Sequence, residues 1–138
     1  MRQIDKIIVH CSATKPSQVV TVDTIRRWHL ARGFKDIGYH YVIYQDGTVH
    51  KGRPDYAVGA HVSGQNARSI GVCYIGGLNK QTGKPEDTRT DAQRAALLGL
   101  LVELERKYPG AKIYGHRDFA NKACPCFDAK TEYAELCK

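Results

Sequence analysis

The run Lys6-Ile7-Ile8-Val9-His10 is β-branched and shows no polar alternation, which predicts a short strand covered on both faces. It stops at His10, where Cys11-Ser12-Ala13-Thr14 opens a loop. A helical period follows: Thr21 can cap a helix reaching about Arg32, with Ile25, Trp28 and His29 on one side and Gly33 as the stop. Tyr39 to Tyr44 predicts a strand that turns through Asp46-Gly47 into Thr48-Val49-His50, because Asp-Gly supplies the positive backbone angles of a tight hairpin. Lys51 to Arg68 has no period and predicts irregular chain. Ser69 to Ile75 then predicts a further strand, closed by Gly76-Gly77, and Leu78 to Arg89 a polar loop.

Thr90 and Gln93 have the spacing of a capping box, and Ala96, Leu97, Leu100, Leu101 and Leu104 form one helical face that ends before Pro109-Gly110. Lys112 to His116 predicts a last strand, and Lys130 to Leu136 a weak helix. This order of elements indicates an α/β fold, a mixed central β-sheet flanked by helices, as a single domain over residues 1–138. With 42% hydrophobic and 25% charged residues, the chain has the balance of one globular unit with one core.

No run reaches the roughly 18 apolar residues of a membrane span, so no integral membrane association is expected. The start Met1-Arg2-Gln3-Ile4-Asp5-Lys6 lacks the order of a signal peptide, which points to synthesis in the cytoplasm. The five cysteines, Cys11, Cys73, Cys124, Cys126 and Cys137, then read as free thiols or metal ligands rather than a disulfide framework. A net charge of +7 favours an anionic partner but does not choose among nucleic acid, membrane surface and wall polymer.

Two histidines, His10 and His116, stand at the C-terminal ends of predicted buried strands, the edge at which α/β sheets place their sites. Cys124 follows His116 by eight residues and precedes Pro125. Two imidazoles and a thiolate suit zinc, and three protein ligands leave a fourth tetrahedral position for water. Each residue alone has a plainer account, a hydrogen-bonded structural histidine or a small buried cysteine. Their scattered spacing leaves both accounts open.

The ordered motifs add a resemblance. Ile8-Val9-His10-Cys11-Ser12-Ala13-Thr14, Gly38-Tyr39-His40-Tyr41, Asp46-Gly47-Thr48-Val49, Gly59-Ala60-His61, Ser69-Ile70-Gly71-Val72, Gly115-His116-Arg117-Asp118 and Lys122-Ala123-Cys124-Pro125 span nearly the whole chain. Together they resemble the zinc-dependent N-acetylmuramoyl-L-alanine amidases, the group of phage lysozyme-type amidases and peptidoglycan-recognition proteins, and look most similar to the phage branch.

The resemblance implies one Zn(2+) per chain on His10, His116 and Cys124, and hydrolysis of the bond between N-acetylmuramic acid and L-alanine in peptidoglycan. It places Tyr39 where a tyrosine orients water and substrate, and Lys122 where a cation meets the tetrahedral oxyanion. His61 corresponds to a groove position that contacts peptide or sugar, with a structural loop histidine as the alternative, and Asn66 and Arg68 in the same segment are further substrate-binding candidates. Asp118 either orients a ligand imidazole or caps its loop. Cys126 departs from the phage pattern, where a small hydroxyl residue is usual, and opens two alternatives, a different ligation or oxidation.

A phage or prophage lytic enzyme of this kind would act as a monomer on the wall after release. The competing reading is a muropeptide-binding module of the same fold, whose members typically lack the cysteine ligand present here as Cys124. A nucleic-acid-binding regulator is the third reading; without aromatic and basic interleaving, no stable nucleic-acid partner is expected.

Overall fold

The computed structural model describes residues 2–137. Strands β1 (Lys6–Cys11), β2 (Tyr41–Ile43), β3 (Val49–Lys51), β4 (Ser69–Tyr74) and β5 (Lys112–Gly115) form one sheet in the order β3-β2-β4-β1-β5. β1 runs parallel to both of its neighbours, β4 and β5, and β2 runs parallel to β4; β3 alone is antiparallel, through the Asp46-Gly47 hairpin. Parallel strands end at the same sheet edge. Val9 sits opposite Gly115, so His10 and His116 emerge side by side there.

Several of the expected boundaries shift, and three have a visible cause. β2 is shorter than residues 39–44, because ahead of it the chain joins the 52–60 loop, with Arg53 N–H donating to Tyr39 O at 2.9 Å and Ala60 N–H to Gly38 O at 3.0 Å. The last strand stops at Gly115 because its N–H is taken by the Asp118 carboxylate at 2.8 Å, which folds His116–Asp118 into a 3-10 turn. Asp118 therefore caps its loop. The expected C-terminal helix divides into α3 (Ala129–Glu132), capped by Asp128, and a 3-10 turn at Ala134–Cys137.

Helices α1 (Val22–Ala31) and α2 (Asp91–Lys107) both begin with reciprocal capping boxes, Thr21 with Thr24 and Thr90 with Gln93. Each cap is worth about 1 kcal/mol. Gln93 also donates from Nε2 to Ile43 O and Ile75 O, at 3.2 and 3.0 Å, tying the helix start to the sheet. α2 and α3 cover one face through Leu97, Leu101, Leu104 and Ala129 against Ile7, Val9, Val72 and Ile113. α1 covers part of the other, with Ile25 among Val20, Ile37, Val42 and Ile75. Trp28, expected on the apolar side of α1, is 43% exposed, whereas His29 is buried. None of the helices described is long and apolar enough to cross a membrane.

Two ionic anchors hold the loops around this frame. The Arg89 side chain, expected in a polar loop, is fully buried: it bonds Asp87, Glu132 and the Tyr133 hydroxyl, and lies 3.4 Å over the Phe127 ring. Asp55 accepts from Tyr41, Lys51, Lys107 and Tyr108 at 2.6 to 2.8 Å, fixing the 52–68 loop to β2, β3 and the end of α2. Leaving the buried Arg89 guanidinium without its carboxylates typically costs about 3–5 kcal/mol, whereas the Asp55 lysines are half-exposed and contribute less.

His40 holds the same loop from inside. Its Nδ1 accepts from Gly71 N–H at 3.0 Å, which leaves Nε2 protonated to donate to Ala57 O at 2.8 Å. The ring is neutral, and burial pushes its pKa from 6.5 down to about 4. A lowered folded value means the unfolded chain binds the proton first, so this stabilisation is complete above pH 6.5 and is lost as pH falls toward 4. We expect denaturant unfolding to lose on the order of 3 kcal/mol from His40 over that interval, with His61, whose pKa burial pushes down to about 3, adding to the loss. Stability that stays flat from neutrality to about pH 4 would refute the neutral buried imidazole.

Candidate metal centre and active site

The parallel register brings the three expected ligand residues together. One ligand atom from each of His10, His116 and Cys124 lies within 4.8 Å of the others. His10 comes from the end of β1 and His116 from the turn after β5, with ring centroids 4.7 Å apart. Cys124 returns on the loop after that turn, held by Arg117 N–H donating to Cys124 O at 2.8 Å and Cys11 N–H donating to its Sγ at 3.1 Å.

His10 is 1% exposed, so both ring nitrogens have to be accounted for. Nε2 lies 2.8 Å from His61 Nδ1, and His61 Nε2 lies 3.2 Å from Ser69 Oγ. We assign the protons so that His10 donates to His61 and His61 donates to Ser69. Nδ1 of His10 is then a buried nitrogen with no hydrogen-bond partner. An unsatisfied buried nitrogen costs about 1–3 kcal/mol, and a cation beside it removes that cost. Burial, then the neighbouring His61, His116 and Lys122, lower the His10 pKa well below 6.5, which keeps the ring in its metal-binding form. Two nitrogens, one sulfur and an unpaired lone pair together fit zinc.

His116 and Cys124 of this cluster line a cavity of about 690 Å³. Tyr39, Lys122, His61 and Asn66 line it, together with Trp28, His29, Arg32 and Phe34 from α1 and its following turn, and Phe119. The Tyr39 ring stands 5.0 Å from His10, and burial, followed by the thiols of Cys73, Cys124 and Cys11, raises its pKa well above 10. It stays a phenol and can donate. Lys122 is exposed at the rim, near enough for its charge to lower both His10 and His116.

The three expected groove residues take different places. His61 lines the cavity, but its two ring nitrogens are engaged by His10 and Ser69, and burial pushes its pKa down to about 3. A Cβ on Gly71 would come 2.8 Å from this ring, so glycine at that position makes its seat. Asn66 Oδ1 accepts from the backbone N–H of both His61 and Val62 at 2.9 Å, fixing the loop that carries the histidine. Arg68 does not reach the cavity lining; its Nε pairs with Asp5 at 3.1 Å at the opposite end of β1. The aromatic rim of Trp28, Phe34 and Phe119 was not expected, although an exposed tryptophan on an otherwise amphipathic helix is a signal for it.

Cys126 is not part of the metal cluster, since its sulfur faces Cys11 and Gly77. The alternative ligation through Cys126 therefore finds no support in the geometry.

Comparison with known proteins agrees with this architecture. The family model described as N-acetylmuramoyl-L-alanine amidase matches residues 1–127. The endolysin of Escherichia phage T7 is 52% identical over 126 residues, covering 91% of this chain and 83% of that protein. The Klebsiella phage KP32 endolysin is 50% identical over 129 residues, covering 94% and 85%. Among solved structures, the N-acetylmuramoyl-L-alanine amidase LysC from Clostridium intestinale superposes with a TM-score of 0.83 at 31% identity, covering 98% of this chain and 86% of that one. Fold, ligand geometry and these likenesses converge: the chain belongs to the N-acetylmuramoyl-L-alanine amidase family.

Proposed function

We propose that the protein hydrolyses the amide bond between N-acetylmuramic acid and L-alanine in peptidoglycan, with one zinc ion held by His10, His116 and Cys124. The observation that carries this reading is the trio of ligand atoms within 4.8 Å at a cavity that also holds Tyr39 and Lys122. All three ligands come from one chain, which suits action as a monomer. The likeness to phage endolysins supports release from the cytoplasm and action on the wall. A net charge of +7 suits an acidic wall polymer.

Bound zinc would supply a Lewis acid and a water that ionises near neutral pH. The chain supplies the rest. The cavity, within the roughly 300–1,000 Å³ usual for ligand sites, receives the lactyl-alanyl segment. Tyr39, protonated at any working pH, donates a hydrogen bond that aligns the attacking water and the carbonyl. As the carbonyl carbon becomes tetrahedral its oxygen gains negative charge, and the Lys122 ammonium stabilises it. That contribution matters because a thiolate ligand lowers the net charge of the centre. The departing alanine nitrogen collects a proton, which the aligned water supplies.

His61 acts through His10 rather than on substrate. By accepting from Nε2 it fixes the tautomer and the ring angle that leave Nδ1 for the metal. Asn66 acts one step further out by holding the His61 backbone. Arg68, paired with Asp5 away from the cavity, has no part in this mechanism.

Purified walls treated with the zinc-loaded protein should release L-alanine amino termini without new reducing sugar ends; new reducing ends would mean glycosidase chemistry. Lys122→Ala and Tyr39→Phe should keep their zinc and lose roughly 10²- to 10³-fold in kcat. Full turnover in either variant removes the role assigned to that residue. Cys124→Ser should bind no zinc, whereas His61→Ala should bind it about 10- to 100-fold more weakly in a competition titration. Unchanged zinc affinity in His61→Ala, with only KM altered, would return His61 to a substrate contact.

A further inference from the structure

Cys126 is the local departure from the phage pattern, and its sulfur has a partner of its own. Cys126 Sγ lies 4.0 Å from Cys11 Sγ and 3.3 Å from the carbonyl oxygen of Gly77. Three segments cross at this point: the end of β1, the Gly76-Gly77 turn after β4, and the chain just beyond Cys124. Gly77 has φ +102°, and a Cβ there would lie 2.5 Å from Cys11 Sγ, so glycine opens the space in which the two thiols meet. The third sulfur nearby, Cys124, also meets Cys11, accepting its N–H at 3.1 Å and lying 3.8 Å from its carbonyl oxygen, and it clusters with the two imidazoles.

We propose that Cys11 and Cys126 form a redox pair that closes to a disulfide under oxidising conditions and leaves Cys124 free as the thiolate of the metal centre. The statement about Cys124 rests on the zinc reading above, whereas the bond between the other two does not. The oxidant is a small-molecule or protein disulfide. The half-exposed Cys126, as thiolate, attacks one sulfur of that disulfide and expels the other as a thiolate. The Cys11 thiolate then attacks the Cys126 sulfur and expels the second. Two cysteine thiols lose two electrons and two protons, the external disulfide gains both, and two external thiols are released.

Closure needs the sulfurs to approach by about 2 Å, to the bond length of about 2.05 Å. The bacterial cytoplasm keeps such pairs open and the periplasm closes them. Once closed, the bond joins β1, which carries His10, to the segment that carries Cys124. The ligand loop then cannot peel away from the sheet, and metal is retained for longer.

The test uses the zinc-loaded full chain, equilibrated in glutathione and glutathione disulfide buffers, quenched with acid, alkylated and mapped as peptides without reduction. The oxidised protein should lose two hydrogens of mass and show Cys11 linked to Cys126, with Cys124 unlinked and zinc at its starting stoichiometry. Stripping of zinc by a chelator should slow by about tenfold on oxidation, and Cys126→Ser should abolish both the link and the slowing while keeping the reduced activity. Glutathione adducts without an internal link would overturn the proposal. So would a bond through Cys124 accompanied by zinc release, or the same slowing in Cys126→Ser. A Cys11–Cys126 link in a protein that binds no zinc in either redox state would leave the pair standing and defeat the metal reading instead.

Discussion

Everything at this site depends on a neutral imidazole buried where it cannot leave a nitrogen unpaired without cost. His10 sits on an interior strand between two parallel neighbours, 1% exposed, so each of its nitrogens must have an assigned use. One is used by a hydrogen bond to His61. The other is left without a protein partner among the described residues, and a ring nitrogen of His10 clusters with His116 and Cys124. The sheet converts that requirement into a location, because β1 and β5 are parallel and their ends coincide. A slip of one residue in this pairing would turn the side chain of His10 to the opposite face, into the core under α2.

The supports beyond the ligands are arranged in a chain of decreasing intimacy. His61 holds His10, Ser69 and Gly71 seat His61, Asn66 holds its backbone, and His40 and Asp55 hold the loop on which it stands. On the other side, the Arg89 cluster fixes the chain just past Cys124 through Glu132 and Tyr133. The third ligand comes from a loop rather than from the sheet. It therefore needs this lateral anchorage more than the two histidines do.

What was legible in the sequence is what local periodicity and capping chemistry encode. The β-branched run of β1, the leucine face of α2 and the Thr90–Gln93 box are each complete within a few residues, and the structure has them in place. The ligand trio was legible as chemistry at two strand ends, and the ordered motifs turned it into one site. Contacts between residues far apart in the chain were not legible. Arg68 stands within the groove segment in sequence, yet its guanidinium turns to Asp5 at the other end of β1, because the 3-10 turn at Asn66–Arg68 sends it there. Arg89 read as a polar loop residue because Glu132, which closes its cluster, lies 43 residues further along the chain, and no local pattern announces such a pairing. Trp28 fits the helical period but stays exposed, since the sheet face beside it is given over to a cavity rather than to core.

The Asp55 carboxylate, with four donors around it, has a thermodynamic consequence for recognition. A loop of this length left to itself would sample many shapes, and a sugar–peptide ligand would have to select one of them and give up binding free energy to do so. Here that ordering entropy is lost once, during folding, and is offset by charge-assisted hydrogen bonds that no ligand has to form. The wall of the cavity that bears His61 therefore meets each incoming chain of the polymer already in its working shape. Affinity in an enzyme this small can then come from a modest number of contacts.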